Sequence, residues 1–150
     1  MKRARSTLLL LAALLETLLA QPAATKETIR FQAVDIFIDS KDTPLAAYQL
    51  EFLVKTGDAK VVGVEGGEHS AFRGAPFYDS KAIQHERVII AAFNTTSADK
   101  LPKGKTRVAT IHLQITGEQK PDCVVRLETA ATLDGRKIVA EIIYEERRPE

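Results

Sequence analysis

The sequence predicts an all-β protein, an antiparallel two-sheet sandwich of seven or eight short strands that follows a signal-peptide helix. Two observations predict this fold. Short segments alternate apolar with polar residues at the period of two that is typical of half-buried strands. Clusters of Gly, Pro and Asp separate these segments at short intervals. We therefore expect one β-sandwich domain over residues 25–145, between a signal peptide at residues 1–24 and a charged tail at residues 146–150.

The first 24 residues have the layout of a secretory signal peptide. Basic residues lie within the first five positions, an apolar run covers residues 8–15, and small residues follow at Ala20 and Ala24. Cleavage after Ala20 and cleavage near Ala24 both fit this layout. Glu16 interrupts the apolar run, which falls short of the about 20 residues of a membrane span. We expect a secreted or periplasmic protein that meets a membrane only through an uncleaved leader.

Composition excludes some classes of partner. Without residues 1–20 the chain keeps 18 basic and 19 acidic residues, so it lacks the concentrated basic charge of a nucleic-acid-binding protein. Cys123 is the only cysteine, which rules out an internal disulfide. We expect Cys123 to be a small buried core residue. The oligomeric state does not follow from the sequence.

The first half of the domain reads as three strands. Residues 29–38 form a β-rich run that ends in a polar turn over residues 39–44. Residues 45–54 alternate, with one face predicted to be buried: Ala46, Tyr48, Leu50, Phe52 and Val54. A turn at residues 57–58 then leads into the apolar residues 61–64.

Four more strands are expected after residue 86. Residues 87–93 are almost continuously apolar, which predicts a strand covered on both faces. Residues 106–116 alternate, with Ala109, Ile111, Leu113 and Ile115 inward and Val108, Thr110, His112 and Gln114 outward. Residues 123–128 alternate in the same way. A turn at residues 134–135 precedes the last strand, predicted at residues 138–144.

The irregular segment of residues 65–86 is the candidate binding region. It contains several glycines, a cluster of charge and an aromatic pair, and long loops on a rigid scaffold often carry function. The hypothesis is that five residues form a recognition surface: Glu68, His69, Arg73, Phe77 and Tyr78. In the alternative, the segment only crosses between the sheets, with Phe77 plugging the sandwich edge and Tyr78 capping it.

Four segments of the chain resemble a cohesin-type domain. They are residues 45–52 (LAAYQLEF), 59–67 (AKVVGVEGG), 87–93 (RVIIAAF) and 104–113 (GKTRVATIHL). The resemblance extends over residues 29–140 and implies an all-β, antiparallel two-sheet sandwich that is jelly-roll-like and has about nine strands, a fold that cohesins share with some carbohydrate-binding modules. It also implies a non-catalytic role, since cohesins bind dockerins, which are small calcium-binding helical modules. The sequence shows no dockerin-like calcium repeat, so we expect a free-standing relative of the fold.

No pattern in the sequence specifies catalysis. Glu65, Glu68 and His69, with Asp79 or His85, match no metal-binding spacing, and there is no G-x-S-x-G element around a serine. We expect no catalytic residue, no metal site and no cofactor. The expected function is that of an exported, non-catalytic, cohesin-like protein-interaction module. The alternatives are a module that binds extracellular polysaccharide and a small exported enzyme.

Overall fold

The computed structural model describes residues 27–147, and these residues form eight strands. In chain order the strands are β1 (Ile29–Asp39), β2 (Ala47–Thr56), β3 (Ala59–Gly66), β4 (Phe77–Tyr78), β5 (Arg87–Phe93), β6 (Lys105–Thr116), β7 (Asp122–Ala131) and β8 (Glu141–Glu146). Three single-turn 3-10 helices lie in the connections, at Ser70–Phe72, Ser80–Ala82 and Ala98–Lys100. The prediction of an all-β chain is confirmed.

The strands form two antiparallel sheets of four strands each within the described residues. The order is β3-β6-β1-β8 in the first sheet and β4-β5-β2-β7 in the second sheet. The two-sheet antiparallel architecture expected from the sequence is therefore confirmed, with eight strands between residues 27 and 147 where the resemblance to cohesins implies about nine.

The core lies between the sheets and is built from alternate residues of each strand. On β2 the predicted face is buried, since Tyr48, Leu50, Phe52 and Val54 all point inward. The first sheet contributes Val34, Ile36 and Ile38 from β1, and Ala109, Ile111, Leu113 and Ile115 from β6. Cys123 is also buried, as predicted, and burial raises the pKa of its thiol to about 11.

The predicted outward position of Val108 is wrong, because β6 carries a bulge. Ile36 pairs with Ala109 and Phe37 pairs with Arg107, so Val108 is an extra residue with no partner on β1. Its side chain is completely buried. An extra residue shifts the alternation by one position, which lets Val108 and Ala109 both face the core.

The prediction that residues 87–93 are covered on both faces is also wrong. Val88 and Ile90 are buried between the sheets, whereas Ile89 is 38% exposed and Phe93 is 65% exposed. β5 therefore has one face in the core and one face on the surface. Its continuous apolar character leaves hydrophobic side chains on the outer face of the second sheet.

The last strand begins and ends later than predicted. The expected turn is present, closed by a hydrogen bond from the Thr132 N–H to the Arg136 C=O. After one bridge between Ala131 and Lys137, however, residues 138–140 run outside any strand, with Ile138 buried. The chain changes sheets there, and β8 then pairs with β1 up to Glu146, inside the segment predicted as a charged tail.

The predicted signal peptide at residues 1–24 lies outside the described residues. Between residues 27 and 147, no helix has the length and apolar character needed to cross a membrane.

Candidate functional site

An aromatic pair stands on the outer face of the second sheet. Phe77 on β4 pairs with Ala91 on β5, and Phe93 lies two residues further along β5 on the same side. The two rings are nearly parallel, with an interplanar angle of 11° and centroids 5.9 Å apart. Phe77 is 67% exposed and Phe93 is 65% exposed. Each ring therefore packs mainly against the other and leaves most of its surface to solvent.

Neighbouring residues of β5 extend this apolar surface. Because side chains alternate along a strand, Ile89, Ala91 and Phe93 share the outer face while Val88 and Ile90 point inward. We call the surface formed by Phe77, Ile89, Ala91 and Phe93 the aromatic face. Contiguous apolar surface of this kind is uncommon on soluble domains and marks binding sites.

A groove of about 570 Å³ opens beside the aromatic face. Its lining includes Phe77, Tyr78, Asp79, Lys81, Arg87 and Ile89. Asp79 caps the short 3-10 helix that follows β4, since its Oδ1 accepts a hydrogen bond of 2.9 Å from the Lys81 N–H. The groove lining thus combines aromatic side chains with charged groups, of which Asp79 is held by its hydrogen bond.

A row of ion pairs borders the aromatic face across three strands. Glu51 of β2 accepts hydrogen bonds from Arg87 of β5 and from Arg126 of β7. The hydrogen bond from Arg87, assisted by the charge of both guanidinium groups, holds the pKa of Glu51 below its ordinary value. The arginine side chains are more than half exposed, so the row forms a polar border beside the apolar centre.

Of the five residues proposed from the sequence, Phe77 lies on the aromatic face. Phe77 is exposed, so the alternative in which it plugs the sandwich edge is wrong. Tyr78 is 36% exposed, but it pairs with the inward-facing Ile90, so its side chain lies on the opposite side of the sheet edge from Phe77. The segment predicted as irregular thus contains a two-residue edge strand, which fixes the Phe77 side chain on the outer face.

Glu68 and His69 instead have structural roles, Glu68 at the first sheet and His69 at a 3-10 helix. The Glu68 carboxylate accepts a hydrogen bond of 2.9 Å from the Arg107 N–H, and the Glu68 N–H donates to the Arg107 C=O at 3.0 Å. The His69 Nδ1 accepts a hydrogen bond from the Ala71 N–H and caps a 3-10 helix. Arg73 is exposed in the following loop. Glu68 is therefore bound to β6, whereas Phe77 and Tyr78 belong to the second sheet.

The glycine-rich part of the segment serves close packing. A Cβ atom on Gly67 would lie 2.2 Å from the Arg107 carbonyl oxygen, so only glycine fits this approach of two backbones. Phe72 is buried and packs edge-to-face on Tyr48, with ring centroids 5.3 Å apart. Residues 66–72 therefore cross between the sheets, as the alternative hypothesis expected, while residues 77–78 reach the surface.

No metal centre is assembled between residues 27 and 147, where no group of three or more His, Cys, Asp or Glu side chains converges. Glu65 lies beside His112, with 3.1 Å between its Oε1 and the imidazole Nε2. Asp39 accepts a hydrogen bond from the Lys41 N–H two residues later and so caps the polar turn that follows β1.

The outer face of the first sheet carries a polar network of a different kind. Thr110 is completely buried, and its hydroxyl donates to Asp35 while accepting from Arg107, at 2.7 Å in both cases. Arg147 donates to Asp35 at 2.7 Å. These contacts tie β1 to β6 and to the end of β8, which indicates a role in stability.

Comparison of the chain with protein-family models, with curated proteins and with solved structures finds no match. The resemblance to cohesins is carried by the four sequence segments given above. Function is therefore inferred from the surface itself.

Proposed function

We propose that this chain is an exported, non-catalytic binding module, cohesin-like in its role, that contacts a protein partner through the aromatic face of the second sheet. The observation that supports the proposal most strongly is the exposed, stacked pair of Phe77 and Phe93. Aromatic residues are enriched in the cores of protein interfaces, where they account for a large share of the binding energy. Export follows from the leader expected at residues 1–24.

The border of the aromatic face fits the anatomy of an interface. An apolar centre surrounded by a polar, solvent-accessible rim is the usual arrangement in protein complexes. Here Arg87 and Arg126 supply that rim while Glu51 holds both of them in place. Since the guanidinium groups are already ordered by their own chain, less side-chain entropy is lost when a partner binds.

A non-catalytic role agrees with the state of the carboxylates at this surface. Glu51 accepts hydrogen bonds from two arginines, and Asp79 accepts one as the cap of a 3-10 helix. General acid–base catalysis calls for a group poised near the working pH. The hydrogen bond from Arg87 instead lowers the pKa of Glu51 below its ordinary value, which moves it further from neutral pH.

The groove beside Phe77 favours polysaccharide binding as the second candidate function. One face of the Phe77 ring stacks on Phe93, and the ring also lines the groove. A lining that combines the Phe77 ring with Asp79 and Lys81 offers apolar contact for the C–H face of a sugar and hydrogen bonds for its hydroxyl groups.

The experiment compares three forms of the protein immobilised on a resin. They are the wild type, the double variant Phe77→Ser with Phe93→Ser, and a control double variant Val139→Ser with Ile143→Ser. The control also removes two exposed apolar side chains, but from outside the aromatic face. Each resin is exposed to the extracellular proteins of the producing cells and, separately, to cellulose, xylan and chitin fragments.

The proposal predicts that the wild type and the control retain the same protein, identified by mass spectrometry, and that the Phe77/Phe93 variant releases it. Retention of a polysaccharide by the same two forms, with no protein retained, would establish the second candidate instead. Equal retention of every ligand by all three forms would exclude the aromatic face as the binding surface.

A further inference from the structure

The ionised groups that border the aromatic face do not cancel in charge. Arg87 and Arg126 share the single carboxylate of Glu51, and between residues 27 and 147 neither arginine forms a second ion pair. The ion pair of Arg136, by contrast, joins one cation to one carboxylate. The cluster of Glu51, Arg87 and Arg126 therefore has a net positive charge of one unit.

The positive groups of this cluster are more exposed than the negative group. The Glu51 side chain is only 12% exposed, whereas both arginine side chains are more than half exposed. Glu51 accepts hydrogen bonds from the Nε of Arg87 and from one Nη of Arg126, and the described residues supply no other acceptor to either guanidinium. Each guanidinium has further N–H groups. A molecule that approaches this face therefore meets positively charged donors before it meets the carboxylate.

Lys81 adds another cation at the groove beside the aromatic face. Lys81 and Arg87 line the groove together with Phe77, and Asp79 is the one carboxylate in that lining. One oxygen of Asp79 already accepts the hydrogen bond from the Lys81 N–H. The Lys81 ammonium group has no ion-pair partner among the described residues. The groove and its border therefore form one surface that is basic next to an apolar centre.

The strand register sets the distance between the cations and the aromatic pair. Phe77 pairs with Ala91 of β5, and Glu51 pairs with Ile89, two residues earlier on the same strand. Arg87 lies two residues earlier still. At about 3.3 Å per residue, the basic groups lie roughly 7–13 Å from the rings along β5. An extended chain of similar length spans this distance with side chains at alternate positions, all on one face.

We infer that the protein partner presents an acidic segment to this surface, an inference that rests on the proposed function. An apolar side chain of the segment covers Phe77 and Phe93, and carboxylates at the next alternate positions bind Arg87 and Arg126. Guanidinium groups bind carboxylates through charge-assisted hydrogen bonds, often in pairs, which fix the orientation of the partner. Complementary charge of this kind gives an interface specificity and speeds association.

Basic and uncharged partners fit this surface less well. A lysine or arginine of the partner placed over the cluster would meet Arg87 and Arg126 as like charges, which are unfavourable across an interface. An uncharged apolar segment would displace water from the guanidinium groups without replacing its hydrogen bonds, and burial of an unpaired charge is costly. An acidic segment avoids both penalties, because its carboxylates replace the displaced water as acceptors.

The test uses synthetic peptides with blocked ends, so that side chains supply all of their charge. The peptide Trp-Thr-Glu-Thr-Glu places an aromatic ring and two carboxylates on one face of an extended chain. One control peptide, Trp-Thr-Gln-Thr-Gln, removes only the charges, and a second, Ser-Thr-Glu-Thr-Glu, removes only the ring. Each is titrated into the protein and followed by NMR, with the Nε–H signals of Arg87 and Arg126 and the methyl signals of Ile89 as reporters.

The glutamate peptide with the ring should bind about fivefold more tightly than the glutamine peptide at low salt, as expected for exposed ion pairs. The difference should largely vanish in about 1 M NaCl, where the screening length falls to about 3 Å. Arg126→Gln should reduce the preference to about twofold or less. Arg136→Gln is the matched control, because it removes an exposed arginine outside the aromatic face and should leave the preference unchanged.

The contrary outcomes separate this inference from the proposed function. Equal binding of the glutamate and glutamine peptides, with binding lost in the serine peptide, would overturn the acidic partner and leave the aromatic face as the binding surface. Equal binding of the two glutamate peptides would overturn the inference and count against the aromatic face as well. No binding of any peptide at millimolar concentration would overturn the inference alone, because retention of a protein on the resin tests the proposed function separately.

Discussion

Phe77 of β4 and Phe93 of β5 stack with their ring centroids 5.9 Å apart on the outer face of the second sheet. The two residues are 16 positions apart in the sequence, and a strand of only two residues brings them together. Most of the area of both rings remains exposed. The aromatic face is thus built by the fold without being needed to fill the core.

The double variant Phe77→Ala with Phe93→Ala should cost less than about 1 kcal/mol in the free energy of unfolding, since little apolar area is lost from the interior. Phe52→Ala is the matched control, because Phe52 is completely buried. Truncation of a buried phenylalanine typically costs about 3–5 kcal/mol. Urea unfolding measures both values, and equal losses would show that the aromatic pair supports the core.

Residue alternation predicts much of this fold but does not detect where the alternation is interrupted. Tyr48, Leu50 and Phe52 are buried as the period of two requires. Val108 breaks the rule because a bulge adds one residue to β6. The extra residue lies among apolar and small residues, so the sequence does not show where the alternation shifts. Only the pairing of β6 with β1 shows the position of the bulge.

The sequence predicts only part of the candidate site, because a continuous apolar run does not show which of its residues face outward. Phe77 was singled out because it lies in an irregular segment, whereas Ile89 and Phe93 were missed because they lie in the continuous apolar run of β5. Arg87 could have distinguished the two faces of β5, because it is charged and lies on the same face of the strand as Ile89 and Phe93. The hydrogen bonds of Glu68 to β6 depend on the approach of distant segments, which no local pattern shows.

Leu113→Ala should destabilise the protein by about 2–5 kcal/mol, because Leu113 is buried on the inner face of β6. His112→Ala should cost less than about 1 kcal/mol, since His112 faces outward with 35% of its side chain exposed and its neighbour Glu65 is 63% exposed. Val108→Ala should resemble Leu113→Ala and cost about 1.5–3 kcal/mol. Thermal unfolding followed by circular dichroism compares the three variants. A loss at Val108 as small as that at His112 would contradict the bulge.

Tyr48→Phe should cost about 1–3 kcal/mol, because the Tyr48 hydroxyl donates to the Val108 C=O at 3.0 Å in the core. Its removal takes away a hydrogen bond to a buried carbonyl at the bulge. Tyr144→Phe is the control, since the Tyr144 hydroxyl also donates to a carbonyl but lies at a partly buried position. Chemical denaturation should show the larger loss for Tyr48. A larger loss for Tyr144→Phe than for Tyr48→Phe would contradict the hydrogen bond to the bulge carbonyl as a stabilising link between the sheets.

Burial raises the pKa of Tyr48 well above its ordinary value. The folded protein therefore holds this proton more tightly than the unfolded chain does. The resulting stability is complete below the unfolded tyrosine pKa of about 10 and is lost as the pH rises above it. Above about pH 10 the free energy of unfolding should therefore fall more steeply with pH in the wild type than in Tyr48→Phe. The same slope in both proteins would contradict the assignment.

Asp35 should contribute to the loss of stability in acid. Burial alone would raise its pKa, but the hydrogen bonds from Arg147 and Thr110 outweigh this effect and hold the pKa below the ordinary value. A depressed pKa in the folded state gives stability that is present above the unfolded pKa of about 3.9 and is lost as the pH falls through the folded value. Asp35→Asn should therefore flatten the decline of the melting temperature below about pH 4. An unchanged acid profile would show that the network does not stabilise the fold.

The most direct test of the aromatic face is a photo-reactive benzophenone side chain at position 93, with the same group at position 139 as the control. Val139 is 94% exposed and lies outside the aromatic face, so it reports non-specific adhesion. Irradiation among the extracellular proteins of the producing cells should give one cross-linked partner from position 93 and none from position 139. That adduct should disappear when Phe77→Ser is added. Equal adducts from both positions, or an adduct at position 93 that persists without Phe77, would contradict binding through the aromatic face.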